Sequence, residues 1–118
     1  MNDEYSHLNK SPQPQGIDSE TTFLDGSLRN SVRLNSSAIG IGTYQPGWRW
    51  SLHVGAMTGK LSERHTGFII SGEMMVRDCS GNEYLIHADE AFEVSENHDA
   101  WVVGDTPCVA LDFTHFLR

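Results

Sequence analysis

Cysteine is scarce in this chain. There are two among 118 residues, Cys79 and Cys108. They form neither a disulfide framework nor a Cys-x-x-Cys metal pair, and read as reduced thiols, one in a turn and one opening a strand. Basic residues are also few: 8 Lys and Arg stand against 16 Asp and Glu, a formal net charge of −8. Phosphate backbones need clustered Lys and Arg, and these are scattered, so nucleic acid is not expected as a partner. The acidity reads as solubility. No stretch approaches the roughly 20 apolar residues of a membrane span, so no membrane partner is expected. The N-terminus lacks the basic, apolar, small-residue order of a signal peptide, and the expectation is a cytoplasmic protein. There is no Ser-His-Asp arrangement and no phosphate-binding glycine loop. The stretch "GIGTYQPG" has the wrong spacing for a dinucleotide fingerprint, and no helix is expected after it. No window of a dozen residues holds a 3.6-residue period, which argues against a helical fold.

Short runs of strand-forming residues are abundant instead. They are Val32–Leu34, Trp48–Val54, Gly67–Ile70, Met74–Asp78, Glu83–Ile86, Ala91–Val94, Asp99–Val103 and Val109–Phe113. Turn signals punctuate them at Gly40/Gly42, Pro46-Gly47, Gly55, Gly59, Gly72, Ser80-Gly81-Asn82 and Gly104-Asp105. Many short strands with recurrent turns predict a sandwich, jelly roll or barrel. The length suits one domain with a real core. A mean hydropathy of −0.38 suits a soluble one. Residues 1–25, with "SPQPQG" among them, are polar and aperiodic. They are expected to form a flexible arm ahead of a β-domain spanning 26–118.

Side chains alternate along a strand, so parity assigns faces. Val109, Leu111 and Phe113 share one face, with Asp112 on the other. Trp48, Trp50, Leu52 and Val54 oppose Arg49, Ser51 and His53. The stretch "GFIIS" is apolar on both faces, Ile69 opposing Phe68 and Ile70. A strand of that kind must be covered twice.

Two stretches together resemble the cupin superfamily: "ERHTGFIISGEMMV" running on to "CSGNEYLIHADEAFEV", and "NHDAWVVGDTPCVALDF". The likeness spans roughly Trp48 to Phe113, and "HDAWVVGD" is similar to a phrase of small single-domain cupins. It implies an all-β double-stranded β-helix, the jelly-roll barrel. This chain also departs from the pattern. His65 stands where the first motif usually has Glu, and the His-x-His slots upstream fall in "TGKL". In the second motif the Pro-x-Gly turn reads Ser95-Glu96-Asn97. His98 keeps its distance to the Gly104-Asp105 turn and matches the second-motif His. Asn97 is suited to keep the left-handed backbone that Gly would supply there.

The resemblance implies a divalent transition metal (Zn, Fe, Mn or Ni) on imidazole and carboxylate ligands with open positions for substrate. The candidate ligands are His65 and His98 with His53, or Glu63 in its place. Without a metal, His65 and His98 could still do acid–base work, since imidazole titrates near neutrality. The candidate pocket walls are Trp50, Gly67, Ile69, Met75, Ala100, Val102 and Phe113. Gly67 is expected to leave room for a ligand beside His65. Such a cavity suits a small, partly apolar organic molecule. The expected function is small-molecule binding in the barrel, with metal-assisted turnover open. The alternative is a metabolite- or metal-binding sensor without turnover. Phe68, Ile70 and Trp101 are expected to form an outer apolar patch, and the chain to be a homodimer.

Overall fold

The computed structural model describes residues 14–116 of the chain. Among the described residues nine antiparallel strands make two sheets. They are β1 (Ser19–Thr22), β2 (Leu28–Arg33), β3 (Ser37–Tyr44), β4 (His65–Ser71), β5 (Glu73–Arg77), β6 (Glu83–His87), β7 (Ala91–Val94), β8 (Asp99–Val102) and β9 (Cys108–His115). The larger sheet runs β1-β2-β3-β9-β4-β7 and the smaller β6-β5-β8. The jelly-roll expectation holds. Among the described residues no helix is long and apolar enough to cross a membrane.

Register explains the core. On the larger sheet Ile69 pairs with Ala110, and Tyr44 with Cys108. On the smaller, Met74 pairs with Val102 and Val76 with Ala100. Ile69 and Cys108 are fully buried, and Met74, Val76, Val102 and Tyr44 nearly so. The core is the seam where the two inner faces meet. Phe68 and Ile70 point to the other side of the larger sheet, so β4 is indeed apolar on both faces, and Ile70 is exposed.

The structure corrects several expectations. Ser19–Thr22, inside the segment read as an arm, pairs with β2 as an edge strand. Residues 1–13 lie outside the described residues. Gly40 and Gly42, read as turn signals, sit within β3. There they make room for larger neighbours. A Cβ on Gly40 would come 2.4 Å from Arg29 Nη2, and one on Gly42 would strike the Tyr44 ring.

Trp48–Val54 is not a strand. After a single bridge between Arg49 and Trp101, the chain enters a π-helical turn, Ser51–Gly55, and one α-helical turn, Ala56–Thr58. The Asp99 carboxylate accepts from the Ser51 backbone N–H (3.0 Å), the Ser51 hydroxyl (2.8 Å) and Arg49 Nε (2.8 Å). Tethered there, the chain coils, and Trp50 and Val54, four residues apart, both pack on the core. The period-2 pattern was a coincidence of composition over seven residues.

Trp101 does not join Phe68 and Ile70 in one patch. It lies on the smaller sheet opposite Met75, with the Arg49 and Arg77 guanidinium groups 4.2 and 5.5 Å from its ring centre.

Candidate functional site

The seam opens into a cavity of about 510 Å³ lined from both sheets and from the helical turns. His65 begins β4 and His98 immediately precedes β8. They are far apart in sequence, yet their ring centroids stand 5.2 Å apart. Both line the cavity, and Phe92 meets the His65 ring edge-on at 6.1 Å.

Each ring is oriented by the same device. His98 Nδ1 lies 2.7 Å from the Ser95 carbonyl, and His65 Nδ1 lies 3.1 Å from the Glu63 carbonyl. A carbonyl only accepts, so each Nδ1 carries the proton and donates it. In the neutral form of each ring, Nε2 is then the nitrogen that holds the lone pair. The loop before His98 is shaped for this. Asn97 adopts φ 61°, the left-handed backbone anticipated for it, and its N–H donates to the Ser62 carbonyl at 2.9 Å. Burial pushes the His98 pKa below the ordinary imidazole value, the Ser95 bond acts against that, and nearby His65 adds to the lowering. His98 is therefore neutral at pH 7.

His53 lines the same cavity but does not converge on the pair. It sits in the π-helical turn, where its Nδ1 is 3.0 Å from the Arg49 N–H and 3.1 Å from the Arg49 carbonyl. Its ring stacks on Trp48. Among the described residues, no three His, Cys, Asp or Glu side chains converge on one point, so the sets of His65 and His98 with His53 or with Glu63 are not assembled.

Of the expected walls, Trp50, Ile69 and Ala100 line the cavity, with Trp48, Tyr44 and Phe92 beside them. The others are corrected. Gly67 leaves no vacancy, because a Cβ there would lie 2.4 Å from the Phe92 ring, which already covers it. Met75 points to the opposite face, and Met74 and Val76 take its place. Val102 is core rather than wall. Phe113 faces outward, in a groove with Phe68 and Leu111. Met74 and Val76, one residue to either side of Met75, take the inward face of β5. Phe113 falls outside, and nothing in β9 alone says which of its two faces looks inward.

Sequence reasoning missed Arg29 and Asp112. Arg29, on β2, reaches across β3 to bind Asp112 on β9 with two hydrogen bonds, Nε–Oδ2 at 3.0 Å and Nη2–Oδ1 at 2.7 Å. Both line the cavity. The lone Asp in the apolar run of β9 was the available signal.

No protein-family model matches this chain, and no curated protein matches it. Solved structures do. The sugar phosphate isomerase of the cupin superfamily from Silicibacter pomeroyi matches with a TM-score of 0.63 at 12% identity, over 87% of this chain and 76% of that one. KdgF from Halomonas sp. matches at 0.62 and 13% identity, over 90% and 97%. The cupin domain of Cnp3 from Schizosaccharomyces pombe matches at 0.60 and 11% identity, over 81% and 69%. Identities this low speak for the fold alone, and the fold they share with this chain is the cupin double-stranded β-helix.

Proposed function

We propose that this chain binds a small, partly apolar organic molecule inside the barrel and engages it through Nε2 of His65 and His98. One observation carries this reading: two imidazoles 5.2 Å apart lining one cavity, each with Nδ1 tied to a backbone carbonyl. Two adjacent lone pairs in an apolar, aromatic-walled space accept hydrogen bonds from a ligand hydroxyl or enol. They can also take a proton from it and return it. The chemistry this supports is proton transfer on a bound molecule, as in isomerisation or enolisation. Because His98 is neutral at pH 7, it would act first as a base. Binding without turnover uses the same contacts.

The test is a titration with phenol, followed by the histidine ring resonances. Those of His65 and His98 should move together, with His87 still. A variant carrying His65→Gln and His98→Gln should lose phenol binding by at least tenfold while still unfolding cooperatively. Unchanged affinity in that variant overturns the reading.

A divalent metal on the same two Nε2 atoms is the second reading. It is favoured by the Nδ1–carbonyl bonds, the usual support of metal-ligating histidines. Two protein ligands make a weak and open site. Protein purified without chelator and analysed for Zn, Fe, Mn and Ni tests it. Stoichiometric metal that is lost in His65→Ala supports it, and metal-free protein that binds phenol sets it aside.

The partner expectation, a second copy of the chain, rests on the outer face of the larger sheet. Ile41 and Ile70 are exposed there, and Phe68, Leu111 and Phe113 half-exposed. Such a face is more apolar than solvent contact favours. Sedimentation showing only monomer at micromolar concentration would remove it.

A further inference from the structure

We propose that Arg29 is the second recognition point of the cavity and that the ligand is a small hydroxy acid, its carboxylate on Arg29 and its hydroxyl on the His65–His98 pair. This rests on the small-molecule reading above and names the substrate class for it.

Strand register places the two points. Asp112 pairs with Gly67 across β4 and β9, and with Gly40 across β3 and β9. Gly67 is two residues beyond His65 on the same inner face. Asp112 therefore lies one inward row from His65, about 7 Å along the strand, and the Arg29 guanidinium that it holds lies over Gly40 on β3, two strands across from β4. Phe92 covers Gly67 in the row of Asp112, and Tyr44 covers Gly42 one row further from His65. Both rings line the cavity that holds the His65–His98 pair and Arg29, so aromatic walls accompany two separate polar points.

Arg29 has donors to spare. A guanidinium carries five N–H groups, and Asp112 takes one on Nε and one on Nη2. Among the described residues Arg29 has no other hydrogen-bond partner. Its side chain remains 33% exposed and that of Asp112 20%. As a fork held rigid by Asp112, Arg29 presents its outer edge to the cavity in the geometry that suits a carboxylate. Gly40 keeps that arrangement possible, since any side chain there would collide with both partners.

The recognised molecule is thus flat or narrow, apolar along its length, with an oxygen acid at one end and a hydroxyl at the other. The test compares two probes by calorimetric titration: 4-hydroxybenzoate and its neutral counterpart 4-hydroxybenzyl alcohol. The acid should bind the wild-type chain at least tenfold more tightly. In the charge-balanced variant Arg29→Met/Asp112→Leu that preference should fall below threefold, and in Arg29→Lys it should be intermediate. Equal binding of the two probes by wild type overturns the Arg29 proposal and leaves the cavity reading standing. So does a preference that survives in the double variant. The wild-type comparison decides even if the variant fails to fold. Binding of neither probe overturns both.

Discussion

Ser62 holds His98 by both backbone groups at once. Its hydroxyl accepts from the His98 N–H at 2.6 Å and donates to the His98 carbonyl at 2.5 Å. Ser62 is buried at 4% exposure, and His98 at 8%. One small side chain from the irregular segment before β4 therefore fixes where the second imidazole enters the cavity.

Removing that hydroxyl should be costly. Ser62→Ala leaves a buried N–H and a buried carbonyl without their partner, a loss of about 1–3 kcal/mol. The midpoint of urea unfolding should fall with the slope unchanged. Ser62→Thr, which keeps the hydroxyl, should recover part of the loss. An alanine variant as stable as wild type would show that water replaces the contact.

The lowered His98 pKa gives a signed pH dependence. In the unfolded chain this histidine takes up a proton near pH 6.5, while in the fold it resists. The unfolded state then binds more protons, so stability falls as the pH drops from about 6.5 toward the folded-state value. Thermal unfolding followed from pH 7.5 to 5.5 should show this decline, and His98→Gln should flatten it. A His98 resonance that titrates above pH 6.5 in the folded protein contradicts the assignment.

The two thiols should differ sharply. Cys79 is exposed, whereas Cys108 is fully buried, and burial pushes its pKa to about 11. A native sample should consume one equivalent of thiol reagent quickly, and the second only on unfolding. Rapid reaction of both would mean that β9 opens far more readily than its central place in the sheet allows.

Gly72 should tolerate no side chain. It turns the chain between β4 and β5 at φ 80°, and a Cβ would lie 2.4 Å from the Pro107 carbonyl oxygen. Gly72→Ala combines left-handed strain with overpacking against backbone, a cost of about 2–4 kcal/mol. A melting temperature within a degree of wild type would refute this.

Much of the barrel was legible in the residues. Glu83–Ile86, Ala91–Val94 and Asp99–Val103 became β6, β7 and β8 nearly as read, because alternation and turn residues there agree. Trp48–Val54 misled, since its alternation says strand while the deciding contact is a carboxylate fifty residues away, on Asp99. Strand β3 was hidden by Gly40 and Gly42, which look like turn residues until Arg29, Asp112 and Tyr44 are seen lying over them. In the site, His65 and His98 were marked by a motif, whereas Arg29 carries no local signal, since its role depends on which strands lie between it and Asp112.

The sequence by itself determined the class of architecture, the two-sided strand and the left-handed Asn97, because period, turn chemistry and backbone sterics act between near neighbours. Only the tertiary structure decided which apolar face looks inward, that Phe92 fills the gap over Gly67, and that His53 lines the cavity without converging on the other two imidazoles. Those outcomes depend on which strands become neighbours across the barrel, and interactions between residues distant along the chain settle that.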